Sequence, residues 1–154
     1  MKHNQKRRSV LKNIGMGMAG LFGVATVKAA SPKSKKEVVG KIVEDQNMPL
    51  FSGAVRHGNT LYIAGKGAHF DGDIKAHTDH VLNELQKELE RNGSSMEQVL
   101  KVNVYLADLA DYSKMNEVYR GRFGENPPVR TTVATYGGVP GNSLVEIDCI
   151  AAVD

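Results

Sequence analysis

Two side chains in this 154-residue sequence have the type and the neighbours to do chemistry. Arg130 follows Pro127, Pro128 and Val129 in the stretch GENPPVRTTVATY. The prolines hold the backbone extended and forbid a helix, so the arginine stands at the mouth of a strand on a stiff piece of chain. A guanidinium held this way is a planar fork that grips a carboxylate through two parallel hydrogen bonds, or else it forms an ion pair with an acid such as Glu125 or Asp148. Glu146 lies in LVEIDCIAA, where strand alternation sends Val145, Ile147, Cys149 and Ala151 to one face and Glu146, Asp148 and Ile150 to the other. An acid among apolar neighbours is either a paired structural group or a carboxylate kept for use. Burial raises proton affinity, which suits a base or proton shuttle near neutral pH.

Other residues carry weaker signals. His77 and His80 are spaced i, i+3 on a helical stretch, a spacing that can share a metal, but with no third ligand in the sequence they read as solvent-exposed histidines. Gly65 to Gly67, GKG, lacks the pattern of a phosphate loop and reads as a strand end followed by a turn. Cys149 is the only cysteine, which excludes an intramolecular disulfide, and its alternation with core residues makes it a small apolar filler.

The elements that must position these groups are legible from periodicity. A first strand is expected over Val38 to Glu44, then a hairpin of Ser52 to Arg56 with Thr60 to Ala64 around His57 to Asn59. Ile74 to Asn92 is the clearest helix, with Val81, Leu82, Leu85 and Leu89 on one face and Gly93 at the C-terminal cap. Ser94 with Glu97 has the spacing of a capping box, and Val102, Val104 and Leu106 alternate as a strand. Asp111 can cap a second helix with Met115, Val118, Tyr119 and Phe123 on its apolar side, ending near Gly124. Strands over Arg130 to Tyr136 and Leu144 to Val153, joined by GGVPGN, complete an α+β layer with two helices on one face of a sheet. The other face needs cover from neighbouring subunits.

The formal charge is +3, but it is unevenly distributed. Lys2, Lys6, Arg7, Arg8, Lys12 and Lys28 account for six of the 20 basic residues, and residues 1–30 hold no acid. Residues 31–154 are left with 14 basic against 17 acidic side chains, a balance of −3 that argues against a phosphate-binding surface. Arg7 and Arg8, an apolar run from Ile14 to Val27, and the small residues Val27 and Ala29 resemble a twin-arginine export signal over residues 1–30, cut near Ala29 or Ala30. Such a signal implies a periplasmic protein that meets the membrane only during export. Ser31 to Glu37 is polar and reads as a linker to a domain over residues 38–154.

The segments FSGAV, GNTLYIAG, GSSMEQVLKVNVYLADLADYSKMNEVY, NPPVRTTV and LVEIDCIA together resemble the YjgF/RidA family of reactive enamine and imine deaminases, some of which carry an endoribonuclease label. The resemblance implies a chorismate-mutase-like α+β fold and a homotrimer with an inner barrel of sheets and clefts between subunits. It puts a carboxylate-gripping arginine at Arg130 and a water-activating glutamate at Glu146, with substrate contacts from Phe51, Gly65, Asn116 and Thr132. Asn116 also reads as a helix-surface polar residue. Phe51 stands where active members usually carry tyrosine, while Gly53, Ala64 and Lys66 replace residues that are commonly Gln, Ser and Gln; Lys66 is read as a solvated loop lysine. The implied activity is hydrolysis of 2-imino and 2-enamino acids to 2-oxo acids and ammonia without metal or cofactor. The alternative is a member that holds a small carboxylate without turnover. Nucleic acid is not expected as a partner, because the domain is acidic and has few aromatics for stacking bases.

Overall fold

The computed structural model describes residues 34–154, and the export-type segment read over residues 1–30 lies outside the described residues. Among these, the chain forms β1 (Lys36–Val38), β2 (Ile42–Asp45), β3 (Met48–Ser52), β4 (Ala54–His57), β5 (Thr60–Lys66), α1 (Ile74–Arg91), β6 (Val99–Leu106), α2 (Tyr112–Tyr119), β7 (Val129–Ala134) and β8 (Val145–Ala152). A six-stranded sheet runs in the order β1-β4-β5-β8-β6-β7, and β2 pairs with β3 in a separate ribbon. All pairs in the large sheet are antiparallel except β6 with β7, so the sheet is mixed. Two helices on one face of this sheet make the expected α+β fold.

The core follows from alternation meeting helical period. Val102, Val104 and Leu106 of β6 and Val145, Ile147, Cys149 and Ala151 of β8 are buried on one side of the sheet, against Val81, Leu82, Leu85 and Leu89 of α1. Met115, Tyr119 and Phe123 extend that layer under α2. The opposite face is open: Val129 is 69 % exposed, Tyr62 46 % and Val133 44 %, which is more apolar surface than a lone sheet face ordinarily leaves in water.

Both ends of α1 are satisfied locally. Asp73 accepts a bond from the Ala76 N–H at 2.8 Å, and Gly93, at φ 75°, closes a Schellman motif in which Ser94 N–H reaches the Leu89 carbonyl at 2.9 Å. The hairpin of β4 and β5 closes at the His57–Thr60 pair, as the sequence suggests.

Several expectations are corrected. The stretch from Val38 to Glu44 is two strands in different sheets, broken where Gly40 lies against Ala54; a Cβ there would stand 2.9 Å from the Ala54 Cβ. Ile42–Asp45 instead folds back on β3 through Gln46 and Asn47, both at positive φ, a turn that period-2 reasoning does not reveal. β1 begins inside the stretch read as linker. Ser94 and Glu97 do not form a capping box, because the Ser94 hydroxyl donates to the Ala152 carbonyl at 2.7 Å. Asp111 caps nothing with its side chain; Asp108 does, accepting from Ala110 N–H at 2.9 Å at the 3₁₀ turn that leads into α2. That helix stops at Tyr119 rather than Gly124.

His77 is not solvent-exposed. It is 2 % exposed, its Nε2–H donates to the Phe70 carbonyl at 2.9 Å, and its Nδ1 accepts from the Leu144 N–H at 3.1 Å. Bonded at both ring nitrogens to backbone groups of distant segments, this imidazole ties α1 to the start of β8. Among the described residues no group of three or more His, Cys, Asp or Glu is placed to hold a metal, and no helix is long and apolar enough to cross a membrane.

Leu85 is fully buried between α1 and the sheet. Leu85→Ala is expected to destabilise the fold by about 3 kcal/mol, measured by urea unfolding, from lost transfer energy and the cavity left behind.

Candidate active site

Arg130 is on β7, the edge strand, directly across from Val102 in the parallel β6–β7 register. Because Val102 faces the helices, so does Arg130. Its guanidinium donates from Nη1 to the Asn116 side-chain oxygen at 2.8 Å and from Nη2 to the Tyr112 hydroxyl at 3.2 Å. The Arg130 Cζ stands 4.6 Å from the Tyr119 ring centroid and 5.7 Å from that of Tyr112. Tyr112, Asn116 and Tyr119 are spaced i, i+4, i+7, one face of α2, and that face aims all of them at the same cation. The two tyrosines are the part of this cluster that the sequence reading did not assign; the spacing was the available signal.

The ion pairs considered for Arg130 do not form. Asp148 is on the other face of the sheet, where its carboxylate accepts from Asn103 at 2.8 Å and from the Tyr105 hydroxyl at 3.1 Å. Among the described residues no acid pairs with Arg130. The guanidinium is therefore held by neutral acceptors and an aromatic face, with its charge uncompensated, which is an arrangement suited to an incoming carboxylate. Asn116 is a holder of this arginine rather than a free surface residue.

Two hydroxyls next to Arg130 are buried without a hydrogen-bond partner: those of Tyr119 and Thr132. Thr132 follows Arg130 by two residues and faces the same side. Burial pushes the Tyr119 phenol up to about 12, a rise that the nearby Arg130 charge opposes. A cleft of about 540 Å³ opens beside the cluster, lined by Asn116, Tyr119, Arg120, Phe123, Glu125 and Pro127.

Glu146 faces the opposite way. It is half-buried on β8 across from Tyr105, in a smaller cavity of about 250 Å³ with Asp148, Thr135, Val139 and Pro140. Burial, helped by the charge of Asp148, raises the Tyr105 phenol. Gly65 belongs to this side: β5 shifts register between Ile63 and Lys66, and a Cβ on Gly65 would stand 2.7 Å from the Glu146 Cδ. Glycine is what lets the β5 backbone approach the carboxylate so closely. Lys66, expected as a solvated loop residue, is the last residue of β5, with its ammonium 3.4 Å from buried Glu88 of α1. Phe51 lies apart from both groups, 51 % exposed on β3 in a groove with Ile42, Leu50 and Val55.

A single protomer thus brings Arg130, Asn116 and Thr132 together, and Glu146 with Gly65, but does not join the two sets. The strand register separates Arg130 from Glu146 by three residues along the strands and two strand spacings across, about 10 Å each way, on opposite faces. A three-carbon acid, about 4 Å long, cannot bridge that.

A mixed six-stranded sheet with two helices on one face, a guanidinium without an acid partner among the described residues at its edge and a carboxylate on its open face defines an α+β protein with two separate polar clusters, one on each side of the sheet. The description "Endoribonuclease L-PSP" matches residues 42–153, and the chain belongs to this family, which is the YjgF/RidA family. It is 41 % identical over 125 residues to a RutC family protein of Pyrococcus horikoshii, an alignment covering 75 % of this chain and 97 % of that one. It is 27 % identical to the 2-iminobutanoate/2-iminopropanoate deaminase of Dermatophagoides farinae, covering 79 % of this chain and 99 % of that one. Among solved structures, the YjgF/YER057c/UK114 family member Rv2704 from Mycobacterium tuberculosis superposes with a TM-score of 0.67 at 27 % identity, over 77 % of this chain and 100 % of that one.

The unpartnered hydroxyl and the buried thiol make a pH prediction. Cys149 is buried and its thiol is pushed up to about 12 from 9.0, so above pH 9 the unfolded chain loses a proton that the folded one keeps. Stability is therefore full below about pH 9 and falls as pH rises toward 12, by up to about 1.4 kcal/mol per unit from this group. Denaturant melts across pH 8 to 11 check this, with Cys149→Ala flattening the fall. Tyr119→Phe removes a buried hydroxyl that has no partner, so stability at pH 7 should hold or rise by about 1 kcal/mol.

Proposed function

We propose that this chain hydrolyses reactive 2-imino acids and their enamine tautomers to 2-oxo acids and ammonia, in clefts between the protomers of a homotrimer. The observation that carries the reading is the Arg130 guanidinium, held by Asn116 and Tyr112 over the Tyr119 ring with no acid paired to it among the described residues. The deaminase names of relatives support the reaction class. The separation of Arg130 from Glu146 across the sheet supports the assembly, because the β7 edge of one copy, where Arg130 emerges, laid against the open face of another can place one protomer's carboxylate at the other's arginine. The exposed Val129, Tyr62 and Val133 give those faces a reason to meet.

The chemistry needs little more. Arg130 holds the substrate carboxylate and so orients the C=N carbon. Glu146 takes a proton from water as its oxygen adds to the carbon of the protonated imine, giving a neutral tetrahedral carbinolamine; the carboxyl returns that proton to nitrogen, and as the C–N bond breaks the carboxylate takes the hydroxyl proton and hands it to the departing ammonia. The 2-oxo acid and ammonia leave. Thr132 of one protomer and the Gly65 backbone of its neighbour line the approach, Phe51 reaches it only from a neighbouring protomer's ribbon, and no metal or organic cofactor is required. An RNA substrate would require clustered Lys and Arg, whereas residues 31–154 carry a net −3.

A second reading, a binder of small carboxylates without turnover, is favoured by Phe51, which offers a ring where active relatives usually offer a phenol. One experiment separates the two. Imino acids are generated from alanine by an amino-acid oxidase, and oxo-acid release is followed with and without protein. The enzyme reading expects acceleration, a loss of about a hundredfold or more in kcat/KM with Arg130→Ala, and a comparable loss in kcat with Glu146→Gln. If wild type accelerates nothing yet binds pyruvate by calorimetry, with Arg130 required and Glu146 not, the binding reading takes its place.

Export to the periplasm through residues 1–30 is part of the same proposal, supported by Arg7, Arg8 and the apolar run. Fractionation and mass spectrometry should find a periplasmic chain beginning near Ser31. Replacing Arg7 and Arg8 with Lys should keep the full-length chain inside; a periplasmic chain unaffected by that change refutes this route.

A further inference from the structure

We infer that the substrate's side chain lies in the 540 Å³ cleft beside Arg130, and that this chain favours 2-imino acids with bulky apolar side chains over three- and four-carbon ones. The inference rests on the proposed function for the place of the carboxylate at Arg130.

Two residues join the guanidinium to the cleft. Asn116 takes the Nη1 bond and Tyr119 lies against the guanidinium, and both also line the cleft. The α-carbon of a bound acid is one bond, about 1.5 Å, from the carboxylate that Arg130 holds, so its substituent starts at the cleft mouth. The wall is apolar where a side chain would rest. Phe123, itself 2 % exposed, backs Tyr119 with ring centroids 4.9 Å apart, so the apolar surface met there is that of Tyr119 and Pro127. Gly121 and Gly124 complete the wall with backbone alone. Both have positive φ, 79° and 74°, a conformation that disfavours any larger residue, and a Cβ on Gly121 would meet nothing within 4 Å. Arg120 and Glu125 are exposed and keep their charges in water.

Size then decides the substrate class. The cleft is an open groove whose volume falls within the roughly 300–1,000 Å³ of small-molecule sites, and a methyl or ethyl group would leave most of it to water. A benzyl or isobutyl group would bury its surface there, which corresponds to about ten- to a hundredfold tighter binding. The reaction that supplies such a substrate is oxidation of an aromatic or branched-chain amino acid at its α-carbon.

The test uses stable 2-oxo acids and the whole chain, so it does not depend on turnover. Calorimetry compares pyruvate with phenylpyruvate and 4-methyl-2-oxopentanoate, and ¹H–¹⁵N spectra follow the Gly121 and Gly124 amides. The expected result is at least tenfold tighter binding of the larger acids, shifts of both glycine amides with phenylpyruvate but not pyruvate, and loss of all binding in Arg130→Ala. Equal affinities, unmoved glycine amides, or no binding of the larger acids overturns the inference. Imine hydrolysis alongside such a result leaves the proposed function standing. Tight phenylpyruvate binding at the glycines without any imine turnover leaves this inference standing and removes the enzyme reading.

Discussion

Strand side chains alternate, and β6 pairs with β7 on one side and β8 on the other, so one register assigns Arg130, Thr132, Glu146 and Asp148 each to a face. Val102, Val104 and Leu106 must go under the helices, because they are the largest continuous apolar surface on that strand. Once they do, Arg130 follows Val102 to the helix side and Glu146 follows Tyr105 to the open side. A slip of one residue in either pairing would bury Glu146 in the core or turn Arg130 away from α2. The hydrophobic core and the placement of the candidate site are thus one constraint.

On the helix side, the consequence is a cation kept in an unusual state. Arg130 has no acid to neutralise it among the described residues, and its neighbours are an amide oxygen, a phenol oxygen and two aromatic faces. The planar guanidinium suits that setting, since it stacks and hydrogen-bonds at once where an ammonium would not. The buried hydroxyls of Tyr119 and Thr132 remain without partners next to it. Unpaired buried polar atoms weaken a fold, and the two found among the described residues both stand beside this cation.

On the open side, close packing does the positioning. The register shift in β5 brings the Gly65 backbone against the Glu146 carboxylate, and Tyr105, Asn103 and Asp148 form a bonded row along the same face. The start of β8 is anchored by Ser143, whose hydroxyl takes the Ala68 N–H at 2.8 Å and donates to the Val145 carbonyl at 2.6 Å, and by His77 bound to Leu144. The carboxylate therefore sits on a strand clamped from both the loop after β5 and the long helix.

Much of this was determined by the sequence alone, wherever the cause is local. Leucines at helical spacing marked α1, Gly93 marked its end, alternating valines marked β6, paired prolines made Arg130 the start of a strand, and the segments from FSGAV to LVEIDCIA carried the family. What those signals lack is long range. Period-2 reasoning does not show that Gly40 must lie against Ala54 and split the first strand, nor that His77 is buried between two backbone groups from distant segments. Nor does it show that Asp148, an obvious partner by charge, lies on the wrong face for Arg130. Only the tertiary structure decided which strands neighbour one another and in what register, because that depends on how two helices and a sheet share one apolar layer. The face on which each charged residue emerges follows from that packing, not from its own neighbours in the chain.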